Sequence, residues 1–74
     1  MKIHIEYCIK WNYGPEFDRV SNLIKTIDST IEIEGNSHIP RSGAFEVCIN
    51  DMEVFSKFKL LRFPTKKEIS DWIK

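Results

Sequence analysis

Ile3, Ile5 and Tyr7 alternate with His4 and Glu6, a period of two that predicts a half-buried strand over Lys2–Tyr7. The alternation stops at Cys8, and the stretch from Cys8 to Gly14 reads as a loop. Phe17, Val20, Ile24 and Ile27 then recur at helical spacing with Leu23 beside them, predicting a helix over Pro15–Ile27. Pro15 is tolerated in a first helical turn, and Glu16 and Asp18 suit the positive end of the helix dipole. A second alternating run, Thr30–Glu34, places Ile31 and Ile33 on one face and ends at Gly35-Asn36-Ser37. The polar segment through Pro40 and Gly43 is a loop.

The strand Ala44–Ile49 follows, with Phe45, Val47 and Ile49 on one face and Cys48 on the other. Asn50-Asp51 has hairpin-turn character and leads into a strand over Glu53–Lys57. Leu60–Pro64 is a connection. Thr65 stands three residues before Glu68, the capping-box spacing, so a last helix should span Thr65–Ile73 with Ile69, Trp72 and Ile73 on its apolar stripe. The order is β-α-β-β-β-α. The first two strands flank a helix, so they should be parallel neighbours, and the last two should form a hairpin. The fold class expected is α/β (α+β), a four-stranded mixed sheet with two helices in a single domain over residues 1–74. Ile5, Phe17, Val20, Ile24, Val47 and Ile69 should form the core.

The remaining composition narrows the function. Of the 74 residues, 42% are apolar, enough for a core without metal or disulfide staples. Eleven basic residues balance eleven acidic ones, so the basic excess of a nucleic-acid binder is missing, and Lys57, Lys59 and Arg62 read as a solvated loop. No apolar run approaches the roughly 20 residues needed to cross a bilayer, and the alternating start lacks a signal-peptide core, so a cytoplasmic location is expected. His4 and His38 lack metal-ligand spacing, so no metal site is expected. Cys8 and Cys48 read as free thiols rather than a bridge.

The loop Tyr7-Cys8-Ile9-Lys10-Trp11-Asn12-Tyr13 lies between the first strand and the first helix. It resembles the Tyr-Cys-x-x-Cys or Tyr-Cys-x-x-selenocysteine loop of the selenoprotein W-related family, matching it at Tyr7, Cys8 and Tyr13. Gly43-Ala44-Phe45-Glu46-Val47 is similar to that family's Gly-x-Phe-Glu-Val strand, and Val54, Ser56 and Phe63-Pro64 to its hairpin and last-helix start. The resemblance implies a thioredoxin-like fold and thiol redox chemistry with glutathione or protein thiols. It makes Cys8 the candidate catalytic thiol and Tyr7, Lys10 and Tyr13 its loop neighbours. No bound cofactor is implied.

Trp11 departs from that pattern, because it occupies the second redox position and an indole cannot form or resolve a bond to sulfur. Cys8 is left as the only thiol of the loop. It could act alone through a mixed disulfide, or the chain could be a catalytically degenerate module that keeps the fold for protein binding. Tryptophan (UGG), cysteine (UGU, UGC) and selenocysteine (UGA) differ only in the third base. A redox codon lost by one point mutation, or read differently, would leave Trp11 largely exposed and poorly accommodated.

Overall fold

The computed structural model describes residues 1–73. It contains β1 (Lys2–Tyr7), α1 (Gly14–Ile27), β2 (Glu32–Gly35), β3 (Phe45–Ile49), β4 (Met52–Ser56), α2 (Lys57–Leu60) and α3 (Lys66–Ile73). The sheet order is β2-β1-β3-β4. The parallel β1–β2 pair and the antiparallel β3–β4 hairpin are those the pattern predicted, and the structure adds the antiparallel β1–β3 pairing that joins them. Inward side chains of β1, β3 and β4 (Ile3, Ile5, Phe45, Val47, Phe55) form one cluster with Val20 and Ile24 of α1 and Ile69 of α3. Each such side chain removed from water contributes about 1.5–3 kcal/mol. The opposite strand positions carry Lys2, His4, Glu6, Glu46 and Cys48, so one sheet face is polar.

The hairpin turn is built as its residues demand. Asn50 (φ 48°) and Asp51 (φ 69°) both take the left-handed conformation that a tight two-residue hairpin needs. The capping box of α3 also forms: the Thr65 amide donates to Glu68 Oε1 at 2.9 Å and the Glu68 amide donates to Thr65 Oγ1 at 3.2 Å. Arg62 adds an ion pair to Glu68 at 2.7 Å, and this partner above all holds the Glu68 carboxyl down at about 2.

Several boundaries differ from the sequence pattern, each for a local reason. Thr30 does not join β2, because its amide and hydroxyl both donate to Asp28 Oδ1 in the turn that leaves α1. The strand instead extends through Gly35, which pairs with Ile5. A Cβ at Gly35 would lie 2.9 Å from the Tyr7 ring and 3.0 Å from the Phe17 ring, so only glycine fits beneath that stacked pair. Phe17, expected in the core, is correspondingly half-buried at its edge. Helix α1 starts at Gly14, one residue before Pro15.

The larger difference is α2, a third helix that the sequence pattern does not show. Its start is satisfied from two sides. Ser56 Oγ accepts the Lys59 amide at 3.3 Å, and Glu46 Oε2 accepts the Lys57 amide at 2.7 Å. Ser56 also donates its hydroxyl to Glu46 Oε1 at 2.5 Å. Glu46 is thereby buried, although it points to the polar side of the sheet. The chain leaves α2 through Leu61 in a left-handed conformation (φ 60°). Lys57 and Lys59 belong to this helix rather than to a solvated loop. Lys59 pairs with Glu53 at 3.0 Å, which, with the Arg62–Glu68 pair, breaks up the basic cluster.

Glu46→Ala should destabilise the domain by about 1–3 kcal/mol, because a buried hydroxyl and the amides of the α2 start lose their acceptor. Urea unfolding checks this, and Glu46→Gln, which keeps one acceptor oxygen, should lose less.

Candidate functional site

The redox-loop candidate begins where β1 ends. The Cys8 amide donates to Ala44 O at 2.9 Å, continuing the β1–β3 ladder one step past the Tyr7–Phe45 pair. The chain then reverses. Asn12 N–H donates to Ile9 O at 2.9 Å, Tyr13 N–H donates to Cys8 O at 3.0 Å, and Asn12 takes the left-handed conformation (φ 60°) that closes the turn. This folding brings the Trp11 amide back to the thiol, where it donates to Cys8 Sγ at 3.4 Å.

The start of α1 does not serve the thiol. The amides of Glu16 and Phe17 donate to Tyr13 O at 3.1 and 3.0 Å. The hydrogen bond to sulfur therefore comes from the loop, whereas low thiol pKa values in redox folds often draw on a helix N-terminus.

Loop position does not expose Cys8, which is only 1% accessible. It forms part of the wall of a groove of about 390 Å³ lined also by Ile9, Lys10, Ile39, Pro40 and Ser42. The far wall is held by Arg41, whose amide donates to Glu6 Oε2 at 2.8 Å and whose guanidinium donates to Glu6 Oε1 at 2.8 Å. The Arg41 hydrogen bond holds the Glu6 carboxyl below its ordinary value. The guanidinium lies 4.9 Å from the centre of the Phe58 ring. Lys10 is an exposed cation on the rim.

Trp11 is 56% exposed, yet it is not loose. Its ring meets Tyr13 edge-on at 6.3 Å and seats on Gly43. Tyr13 in turn packs edge-on against Phe63 at 4.8 Å, and Tyr7 stacks on Phe17 at 4.5 Å, so both loop tyrosines serve as struts between the loop and the core.

Cys48 lies apart from this site. It pairs with His4 across the sheet, four strand positions from Cys8. At about 3.3 Å per position that is roughly 13 Å, well beyond the ~7 Å that a disulfide spans. Both cysteines are free. Burial, with the nearby carboxylates of Glu53, Asp51, Glu46 and Glu6, pushes the Cys48 thiol up. His4 and His38 join no cluster of three metal-ligating side chains among the described residues.

The sequence pattern missed Gly43 as the seat of Trp11, the Glu6–Arg41 clamp and the Glu46–Ser56 pair. The last had a signal, since both residues belong to the motifs that carry the family resemblance.

A four-stranded mixed sheet bearing a cysteine loop between β1 and α1 defines a thioredoxin-like, redox-family domain. The chain belongs to the Rdx family, whose model matches residues 2–74. It is 32% identical to migration and invasion enhancer 1 of Bos taurus over 74 residues, which is 100% of this chain and 63% of that protein. With the Mus musculus protein of the same name the identity is 33% over 72 residues, 97% of this chain and 61% of that one. The chain thus spans less than two thirds of the length of these relatives. Among solved structures, it resembles a selenoprotein W-related protein from Vibrio cholerae with a TM-score of 0.80 at 24% identity, covering 99% of this chain and 96% of that one. A Bordetella parapertussis protein also superposes with a TM-score of 0.80, at 18% identity over 95% of this chain and 89% of that one. These two likenesses establish the fold. No helix among the described residues is long and apolar enough to cross a membrane.

Proposed function

We propose that this chain is a single-thiol redox protein in which Cys8 exchanges with disulfides of glutathione or of proteins. One observation carries the reading. Cys8 is the only thiol of the redox loop, it borders the groove beside Lys10, and its sulfur accepts the Trp11 amide. The thiolate is the form that reacts in such an exchange.

In the exchange, the Cys8 thiolate attacks one sulfur of a disulfide R–S–S–R′. A Cys8–S–S–R bond forms, the original S–S bond breaks, and R′S⁻ leaves with the electron pair and takes a proton from solvent. Trp11 cannot resolve this mixed disulfide. A second thiol, from glutathione or a protein, attacks the sulfur of R and returns Cys8 as thiolate. The cycle suits a reducing, cytoplasm-like compartment rich in thiols.

Treatment with oxidised glutathione followed by peptide mass mapping tests this. Cys8 should acquire the glutathionyl group before Cys48. Accessibility would favour Cys48, but carboxylates and burial hold Cys48 as the thiol. Cys8→Ser should leave only slow modification at Cys48. Modification of Cys48 first, or an inert Cys8 in the folded protein, would remove the redox reading. The near-complete burial of Cys8 favours the second reading in that event, a binding module that presents the exposed Trp11 and Ile9.

A further inference from the structure

We propose that Gly43 is a positioning residue for Cys8, acting through the indole of Trp11; the inference rests on the redox reading above and deepens it. In the turn Ile9–Asn12 the side chains of Ile9, Lys10 and Asn12 are exposed. Trp11 alone among these four has a ring seated on another segment of the chain. A methyl group placed on Gly43 would lie 2.8 Å from Trp11 Cζ3 and 3.2 Å from Cη2. At that separation a side chain at position 43 would have to displace the Trp11 ring.

The seat adjoins the thiol's own anchor. Gly43 precedes Ala44, whose carbonyl takes the Cys8 amide at 2.9 Å, and follows Ser42, which lines the Cys8 groove. The loop is thus docked onto one short segment at two points, by the backbone of Cys8 and by the ring of Trp11. Between those points the chain runs from Cys8 to Trp11, and its closure is the 3.4 Å hydrogen bond from the Trp11 amide to Cys8 Sγ. With the ring held, that amide stays on the sulfur. With the ring displaced, two backbone hydrogen bonds are left to keep a turn of exposed residues in place. The residue that replaces a redox partner therefore still serves the thiol, with its amide as donor and its ring as tether.

Gly43 also has φ +78°, a conformation that disfavours any side chain by itself. The test must separate backbone strain from the Trp11 contact, and a double-mutant cycle does so. The measurement is the pH profile of Cys8 alkylation by iodoacetamide, read by mass mapping and normalised to its alkaline plateau. Normalisation removes changes in access, which scale the whole curve, and leaves the thiolate fraction.

Trp11→Ala and Gly43→Ala should each move the midpoint of that profile toward alkaline pH, with slower alkylation of Cys8 at neutral pH than in the parent. The double variant should move it no further than either single variant. The Trp11 amide should also exchange its hydrogen faster in Gly43→Ala. An unchanged midpoint in Trp11→Ala overturns the proposal, and so does an additive shift in the double variant, which would place the effect in backbone strain. If Gly43→Ala does not fold, Trp11→Ala alone decides, because it removes an exposed ring and introduces no clash. The redox reading is judged separately, since a parent Cys8 that alkylates but never exchanges with oxidised glutathione overturns that reading and leaves the midpoints to decide this one.

Discussion

Val47→Asp should leave the domain unfolded. Val47 is fully buried on β3, where it pairs with Ile5 on one side and Phe55 on the other. Its side chain belongs to the cluster that joins the sheet to Val20, Ile24 and Ile69. A carboxylate there would have no hydrogen-bond donor and no cation, and burying it costs several kcal/mol even if it takes up a proton. Domains of this size sit at the low end of the ~5–15 kcal/mol range of folding stabilities, so that loss exceeds the margin. Val47→Ala, which only removes methyl groups, should cost on the order of 2 kcal/mol and remain folded. Amide spectra at room temperature distinguish the outcomes. A well-dispersed spectrum for Val47→Asp would mean that the core is not centred on this cluster.

Trp11→Cys should convert the loop into one that closes an internal disulfide with Cys8. In the parent no partner is within reach, because Cys48 lies roughly 13 Å away along the sheet. Residue 11 is different, since its amide nitrogen already lies 3.4 Å from Cys8 Sγ. Its Cβ is two bonds further on, which brings a sulfur at position 11 within reach of Cys8 Sγ. Mild oxidation should therefore produce a species two hydrogens lighter, absent from the parent and from Cys8→Ser combined with Trp11→Cys, and reducible by glutathione or thioredoxin. Refusal of the two thiols to pair would show that this loop is no longer a dithiol scaffold.

The substitution should cost less than about 1 kcal/mol, as changes at largely exposed positions typically do. Trp11 is exposed as a lost redox codon would predict, but its ring is not poorly accommodated, because Gly43 and Tyr13 form a seat for it. That seat favours retention of tryptophan for packing. The base at the third position of codon 11 reports directly on the alternative origin, with UGA marking a selenocysteine or a reassigned codon.

Element identity was legible in the chain because it depends on local periodicity. Ile3, Ile5 and Tyr7 alternate, Val20 and Ile24 recur at helical spacing, and Thr65 and Glu68 cap a helix through groups three residues apart. These signals need no partner from elsewhere, and they placed every strand and the two longer helices. The pairing of β1 with β2 as parallel neighbours followed from the helix between them. The redox loop was legible for another reason: its cysteine, tyrosines and flanking elements occur together in one order.

What only the tertiary structure decided involves residues far apart in sequence. Helix α2 has no periodicity in its four residues; it exists because Glu46, across the β3–β4 hairpin, accepts the amides at its start. Phe17 loses part of its burial because it covers Gly35 with Tyr7 rather than entering the core. The burial of Cys8 could not be read from its loop position, since its backbone docks on Ala44 and the segment before β3 lies beside it. Gly43 reads as a loop glycine until the Trp11 ring is seen resting on it. In each case a backbone donor, a buried carboxylate or an aromatic ring is satisfied by a group that only folding brings near, and no local pattern in the chain records that demand.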